Sequence, residues 1–337
     1  MAIVNINVSV TNPPKPSQLL KSGAMISMGG TTLAAGEYQL LTSKDDLKAI
    51  TAPGKTISTI VWAANVVTVT LASPHGWTNG STVPVVISGV APAAYNRSAE
   101  ATVTSATEFT YSLSSDPGTA TTMGVVKTVV AGEIIQMNTT YWAQGAARAV
   151  YVLELGDITI PAAVEALSDF IDKDISLGNT YQKFFSYLVP REWDSEATFK
   201  TLTGQYTSPG SLVYFFVTST IATYQSWVAT KNKTVFAGVE APNIPATEFS
   251  MAAAFQSSLS NDPGSSNMVP PMAFRFMYGV TEYPVENNGT LLKTLQENHV
   301  NYIGSSAEGG LSNKMLVAGH MLDGNPFNYW YAVAWAA

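Results

Sequence analysis

The chain has 337 residues with 17 Lys and Arg against 24 Asp and Glu, a net charge of −7, and only 12% of its residues are charged while 46% are hydrophobic. That charge content is about half the roughly 25% of an ordinary soluble protein, and so apolar a composition excludes a mainly disordered chain. The absence of cysteine excludes disulfide frameworks, thiolate nucleophiles and Cys-ligated metal centres, and no Lys/Arg cluster offers the phosphate-neutralising footprint of a nucleic-acid binder.

From Ile3 onward Val4, Ile6, Val8 and Val10 alternate with Asn5, Asn7 and Ser9, which predicts a strand. Asn12-Pro13-Pro14-Lys15-Pro16 closes it as a stiff, extended spacer without ladder donors. Such a strand either pairs within its own sheet or adds to the sheet edge of another subunit, where backbone hydrogen bonds supply affinity. No basic residue precedes Lys15, so the start lacks the form of a signal peptide. Residues 17–56 predict a small α+β unit, with strands at 24–28 and 36–41. The Ser43-x-x-Asp46 spacing there predicts a helix start, the Ser hydroxyl capping backbone N–H groups ahead of Leu47 and Ile50.

Residues 57–127 read as an inserted all-β module, expected to project from the surface. Val67, Val69 and Leu71, then Val83, Val85 and Ile87, then Phe109, Tyr111 and Leu113 alternate with polar residues, and turn sequences such as Asn79-Gly80 and Asp116-Pro117-Gly118 separate them. The 41 residues from 56 to 96 carry no Lys, Arg, Asp or Glu, but Pro74, Pro84 and Pro92 cut them far below the roughly 20 apolar residues of a spanning helix. Residues 128–337 alternate strand and helix. Strands are predicted at 149–155, 184–189, 212–218, 234–239 and 300–303. Helices are marked by Pro161 with Val164, Leu167, Phe170 and Ile171, by Ile221, Tyr224 and Val228, by Met251, Ala252, Phe255 and Leu259, and by Leu291, Leu292 and Leu295. The fold class expected is therefore α+β and multidomain: an α/β core domain of mixed sheet covered by helices, the small N-terminal α+β unit, and the inserted all-β module.

Chemistry-bearing patterns are sparse. Neither a Gly-x-x-x-x-Gly-Lys-Ser/Thr phosphate loop nor a Gly-x-Ser-x-Gly nucleophile elbow occurs. His75, His299 and His320 lie at no metal-ligand spacing, and His320 is expected to be a hydrogen-bonded structural residue. Glu192, Asp194 and Glu196 form the densest carboxylate group, in which Asp194 is expected to cap a helix. Phe327, Tyr329, Trp330, Tyr331 and Trp335 are expected to pack as core or interface anchors. No catalytic residue, cofactor or metal ligand is assigned, and the chain is not expected to be an enzyme. The alternative is a surface adhesin whose β-module holds carbohydrate through Trp77 or Tyr95.

Four stretches carry a resemblance. Leu20-Lys21-Ser22-Gly23-Ala24-Met25-Ile26-Ser27-Met28-Gly29-Gly30-Thr31-Thr32, then Pro271-Met272-Ala273-Phe274-Arg275-Phe276, then 295–304, then Gly319-His320-Met321-Leu322-Asp323-Gly324 on to Trp335 resemble the contractile tail sheath proteins of bacteriophages, in particular the sheath-like proteins of long-tailed phages. The β-module resembles one common in phage structural proteins, where it decorates or spaces. The resemblance implies a mechanical subunit that polymerises as stacked hexameric rings around an inner tail tube and contracts to drive the tube through the host envelope for genome ejection. It makes Ile3, Val4, Asn5, Ile6, Asn7, Val8, Ser9 and Val10 an arm that joins a neighbouring subunit, with Asn12 to Pro16 as hinge. The partners it implies are the chain itself, the inner tail tube protein, the baseplate and the tail terminator, with no direct nucleic acid binding and no membrane insertion. The location it implies is the virion tail, assembled in the host cytoplasm. Family members continue beyond the 330–335 region, so the core is expected to be truncated at its C-terminal end, stopping inside or just after a strand.

Overall fold

The computed structural model describes residues 22–145, 149–176, 184–208, 213–260, 271–285, 288–306 and 313–336. Chain order begins with β1 (Gly23–Ser27), β2 (Tyr38–Leu41) and α1 (Asp46–Ile50), followed by β3 (Lys55–Ala63), β4 (Val66–Leu71), β5 (Thr82–Ser88), β6 (Ser98–Val103), β7 (Glu108–Ser112) and β8 (Val125–Thr128). Next come α2 (Val129–Ala143), β9 (Val150–Glu154), α3 (Ile160–Ser176), β10 (Ser186–Leu188), α4 (Ala197–Thr203), β11 (Tyr214–Ser219), α5 (Ile221–Val228) and β12 (Val235–Val239). The last elements are α6 (Met251–Ser260), α7 (Gly289–Glu297), β13 (Asn301–Ser306), β14 (Asn313–Val317) and α8 (Phe327–Ala336).

Eight strands form a mixed sheet in the order β14-β13-β12-β11-β10-β1-β9-β2. The six inner strands run parallel, and both outer strands, β2 and β14, run antiparallel to their neighbours. Inner strands are apolar on both faces, as a helix-covered parallel sheet demands. Their alternation sends Met25, Val152, Leu188, Phe216 and Phe236 to a face packed by α2, α6 and α8. It sends Ile26, Leu153, Tyr187, Phe215 and Val217 to the opposite face, under α3, α4, α5 and α7. Helix α6 approaches β1 closely at Gly23, where a Cβ would stand 2.1 Å from the Phe255 ring.

The other six strands close into an antiparallel barrel, β3-β4-β7-β6-β5-β8, over residues 55–128. Val67, Val69, Val85, Ile87, Phe109 and Tyr111 fill it, so it has a packed core of its own. The first and last strands are neighbours, Lys55 opposite Val126, so the chain enters and leaves the barrel at one place. Near that seam the backbone of Gly124 passes so close to β5 that a Cβ would lie 1.9 Å from the Ser88 carbonyl oxygen.

Three expectations change. Residues 17–56 are not a separate α+β unit, because β1 lies inside the large sheet between β9 and β10, and β2 forms its edge. All five residues of β1 are buried, and a strand buried on both faces takes its partners from distant sequence that local pattern does not reveal. The last described element is also not a strand: residues 327–336 are helix α8, whose Phe327 and Tyr331, four apart, stack at 5.6 Å on one helical face. Finally, the Ser43-to-Asp46 motif works in reverse. The Asp46 carboxylate accepts from the Ser43 hydroxyl (2.7 Å), the Thr42 hydroxyl (2.8 Å) and the Thr42 N–H (2.6 Å). Those bonds, led by the Ser43 hydroxyl, hold its pKa down at about 2.

Candidate functional site

Loops leaving the C-terminal ends of parallel strands bring distant polar residues together. At the end of β9 the Glu154 carboxylate accepts from the Gly29 N–H (2.6 Å), the Thr31 N–H (3.1 Å), the Thr31 hydroxyl (2.8 Å) and the Gly156 N–H (2.7 Å). It therefore fixes the turn that follows β1. Past the end of β10, Arg191 donates from Nε and Nη2 to both Glu240 oxygens (2.5 and 3.0 Å) and from Nη1 to Glu133 Oε1 (3.0 Å) and Gln136 Oε1 (2.7 Å). Nη2 also reaches the Glu248 carbonyl at 3.0 Å, and the guanidinium lies 4.3 Å over the Phe249 ring. One side chain thus ties α2, the loop after β12 and the loop before α6 to β10.

Glu133 is 2% exposed, and burial pushes its pKa up to about 7 against the opposing pull of Arg191. Glu248 accepts in turn from the backbone N–H and hydroxyl of Thr281. Beside this hub a cleft of about 570 Å³ is lined by Arg191, Glu192, Asp194, Ser219, Glu240 and Tyr283. Ser219 donates to Asp194 Oδ2 at 3.1 Å, and burial raises the Asp194 pKa. No histidine lines this cleft, so the serine has a carboxylate beside it but no imidazole to act as base. Its polar groups are engaged mainly with one another, which makes a fastening.

Several residues singled out from sequence take other roles. Asp194 lies in the single turn Arg191–Ser195, and the cap of α4 is Glu196, which accepts from the Thr198 N–H at 3.1 Å. The displacement follows from that extra turn between β10 and the helix. His320 is held by its backbone, its N–H donating to Asn301 Oδ1 (2.9 Å) and its carbonyl accepting from Asn301 Nδ2 (2.7 Å), while imidazole Nδ1 is buried without a partner. The ring lies 5.7 Å from that of His299, and burial lowers the His320 pKa, with His299 adding to the effect. Asn301 itself carried no sequence signal, being an ordinary polar residue at a strand start. Phe327 and Tyr331 pack in the core. Of the two residues named for carbohydrate contact, Tyr95 is 1% exposed with its hydroxyl bonded to the Gly118 carbonyl, and half-buried Trp77 stacks on His75. The strand at Ile3 to Val10 and its hinge lie outside the described residues.

Both sheet edges carry exposed apolar side chains. Residues 274–277 run beside β14, with Phe274 N–H donating to the Leu316 carbonyl (2.7 Å) and Leu316 N–H to the Arg275 carbonyl (2.9 Å). Phe274, Phe276 and Tyr278 point outward there, at 67%, 55% and 61% exposure. Half-buried Arg275 lies among them, its Nη1 buried without a hydrogen-bond partner. On β2, at the opposite edge, Tyr38 and Leu40 are 37% and 40% exposed. Among the described residues no helix is long and apolar enough to cross a membrane.

No family model matches the chain, and no curated protein does. Two solved structures of sheath tail proteins are similar to it. That from Listeria innocua is 10% identical with a TM-score of 0.40, the match covering 90% of this chain and 69% of that one. That from Desulfitobacterium hafniense is 8% identical with a TM-score of 0.40, covering 98% of this chain and 80% of that one.

Proposed function

We propose that this chain is a structural subunit of a contractile phage tail sheath, polymerising as stacked hexameric rings around an inner tail tube and shortening to drive that tube through the host envelope. The observation that carries the reading is where the four sheath-like stretches fall. Far apart in sequence, they contribute β1, the strip beside β14, β13 and helix α8 to the large sheet and its cover, and none falls in the barrel. The mutual engagement of charged groups at the strand ends supports a load-carrying role over a catalytic one. In this reading the partners are further copies, the tube protein, the baseplate and the tail terminator, and assembly takes place in the host cytoplasm. Electron microscopy of the purified chain tests it: tubes with a regular axial repeat are expected, and dispersed monomers at high concentration would overturn it.

Two predictions follow from the domain reading. Deleting residues 1–10 should leave a folded monomer, by circular dichroism and sedimentation, that no longer polymerises; tubes formed by that deletion would sink the arm assignment. Joining Gly54 to Val129 should remove the barrel and leave polymerisation intact, because β3 and β8 are antiparallel neighbours whose paired residues Lys55 and Val126 lie about 5 Å apart. Loss of tubes on excision would put the barrel in the lattice.

A further inference from the structure

We propose that the aromatic strip at 274–278 of one copy packs head-to-tail against the β2 edge, residues 37–40, of the next copy. This rests on the assembly reading and names a contact within it.

The two patches are complementary. One offers Phe274, Phe276 and Tyr278 with Arg275 between them; the other offers Leu40 and the outer side of Tyr38, whose ring is held edge-on against Tyr151, Phe170 and Phe184, beside exposed Glu37. The strip is a turn at Phe274, where φ is 61°, followed by a single bridge at Phe276, so its exposed rings are presented as a cluster against the extended β2 edge. Among the described residues no carboxylate pairs with Arg275, and the Glu37 carboxylate accepts only the Ala34 N–H, at 3.1 Å, with no cation beside it. Each charge is therefore left with capacity for the other. Aromatic rings around an arginine are also the composition enriched at interface centres, and contiguous exposed rings of this kind mark contact surfaces.

Within one copy the patches cannot meet. They stand beyond opposite ends of the eight-stranded sheet, the strip lying outside β14 and so eight spacings from β2, about 38 Å at roughly 4.8 Å per strand spacing. A contact between two different patches on identical chains is heterologous, so it repeats from copy to copy and builds a ring or an open helix rather than a closed dimer.

The absence of cysteine makes the test direct. Leu40→Cys and Phe276→Cys are prepared as separate full-length proteins and oxidised alone and mixed. Disulfide-linked dimers are expected in the mixture and only background in either protein alone. Adding Arg275→Glu to the Phe276→Cys protein should lower the yield roughly twofold to fivefold, the worth of one exposed charge pair, and Glu37→Arg in the Leu40→Cys protein should restore it. Cross-linking of either variant with itself to the level of the mixture would overturn the head-to-tail arrangement. Tubes without the mixed cross-link would overturn this contact alone, whereas a chain that stays monomeric would overturn the contact and the assembly reading together.

Discussion

Replacing Arg191 by methionine is expected to destabilise the sheet unit by about 3–5 kcal/mol, the usual cost of stripping the partner from buried charges. Arg191 is paired with Glu133, 3% exposed in its side chain, and with Glu240, 10% exposed. Methionine fills much of the volume but removes the guanidinium from both carboxylates and from the Glu248 carbonyl, leaving Glu133 only the backbone N–H of residue 191 and Glu240 only long bonds from Ser250. Urea unfolding at neutral pH should show the midpoint fall; a shift no larger than that of Lys293→Met, which breaks an exposed pair with Glu297, would mean the hub is not holding these segments.

The pH dependence has a definite sign. Glu133 has its pKa raised from 4.5 to about 7 in the folded chain, so the unfolded chain loses this proton first as pH rises. Its contribution to stability is largest in acid, declines between about pH 4.5 and 7, and is level above that. Glu133→Gln should flatten this part of the stability profile. In the Arg191→Met variant the carboxyl loses the charge that holds its pKa down, so the decline should still begin near pH 4.5 but continue to higher pH.

The second large effect is expected from Phe216→Ala, at about 3–5 kcal/mol for a fully buried ring that leaves a cavity. Phe216 is fully buried, with ring centroids 5.5 Å from Phe236, 5.6 Å from Phe255 and 5.8 Å from Phe327. Truncation therefore loosens β12, α6 and α8 at once. Hydrogen exchange should report weaker protection in those elements and unchanged protection in the barrel, whose core is separate. Equal loss of protection in the barrel would mean that the two cores open as one unit.

The alternation of strand and helix after residue 149 was legible because each element carries its own period, two for strands and 3.6 for helices. The all-β character of the insertion was legible for the same reason, since Val67, Val69 and Leu71 announce an inside and an outside, but its closure into a barrel depends on pairings such as β3 with β8 that local pattern does not carry. Strand β1 was legible as a strand but not as a central one: Gly23 to Ser27 are buried on both sides by partners more than a hundred residues away. Helix α8 was misread because Phe327 to Trp335 is apolar nearly all round, which hides the period of a helix. The Arg191 hub was not legible at all. Its members come from positions 133, 136, 191, 240 and 248, and only the folded sheet brings those loops to one end.

The seam where β3 meets β8 also bears on how such a chain can vary. No strand of the large sheet pairs with a strand of the insertion, which is joined to it at two adjoining backbone ends and otherwise touches it where β5 and β8 lie against α2 and where Lys55 pairs with Asp157 at 2.9 Å. A folded unit whose termini lie side by side and whose flank fits against α2 can occupy that slot. Diversification at this one address can alter what the particle displays while every strand pairing in the large sheet stays as it is.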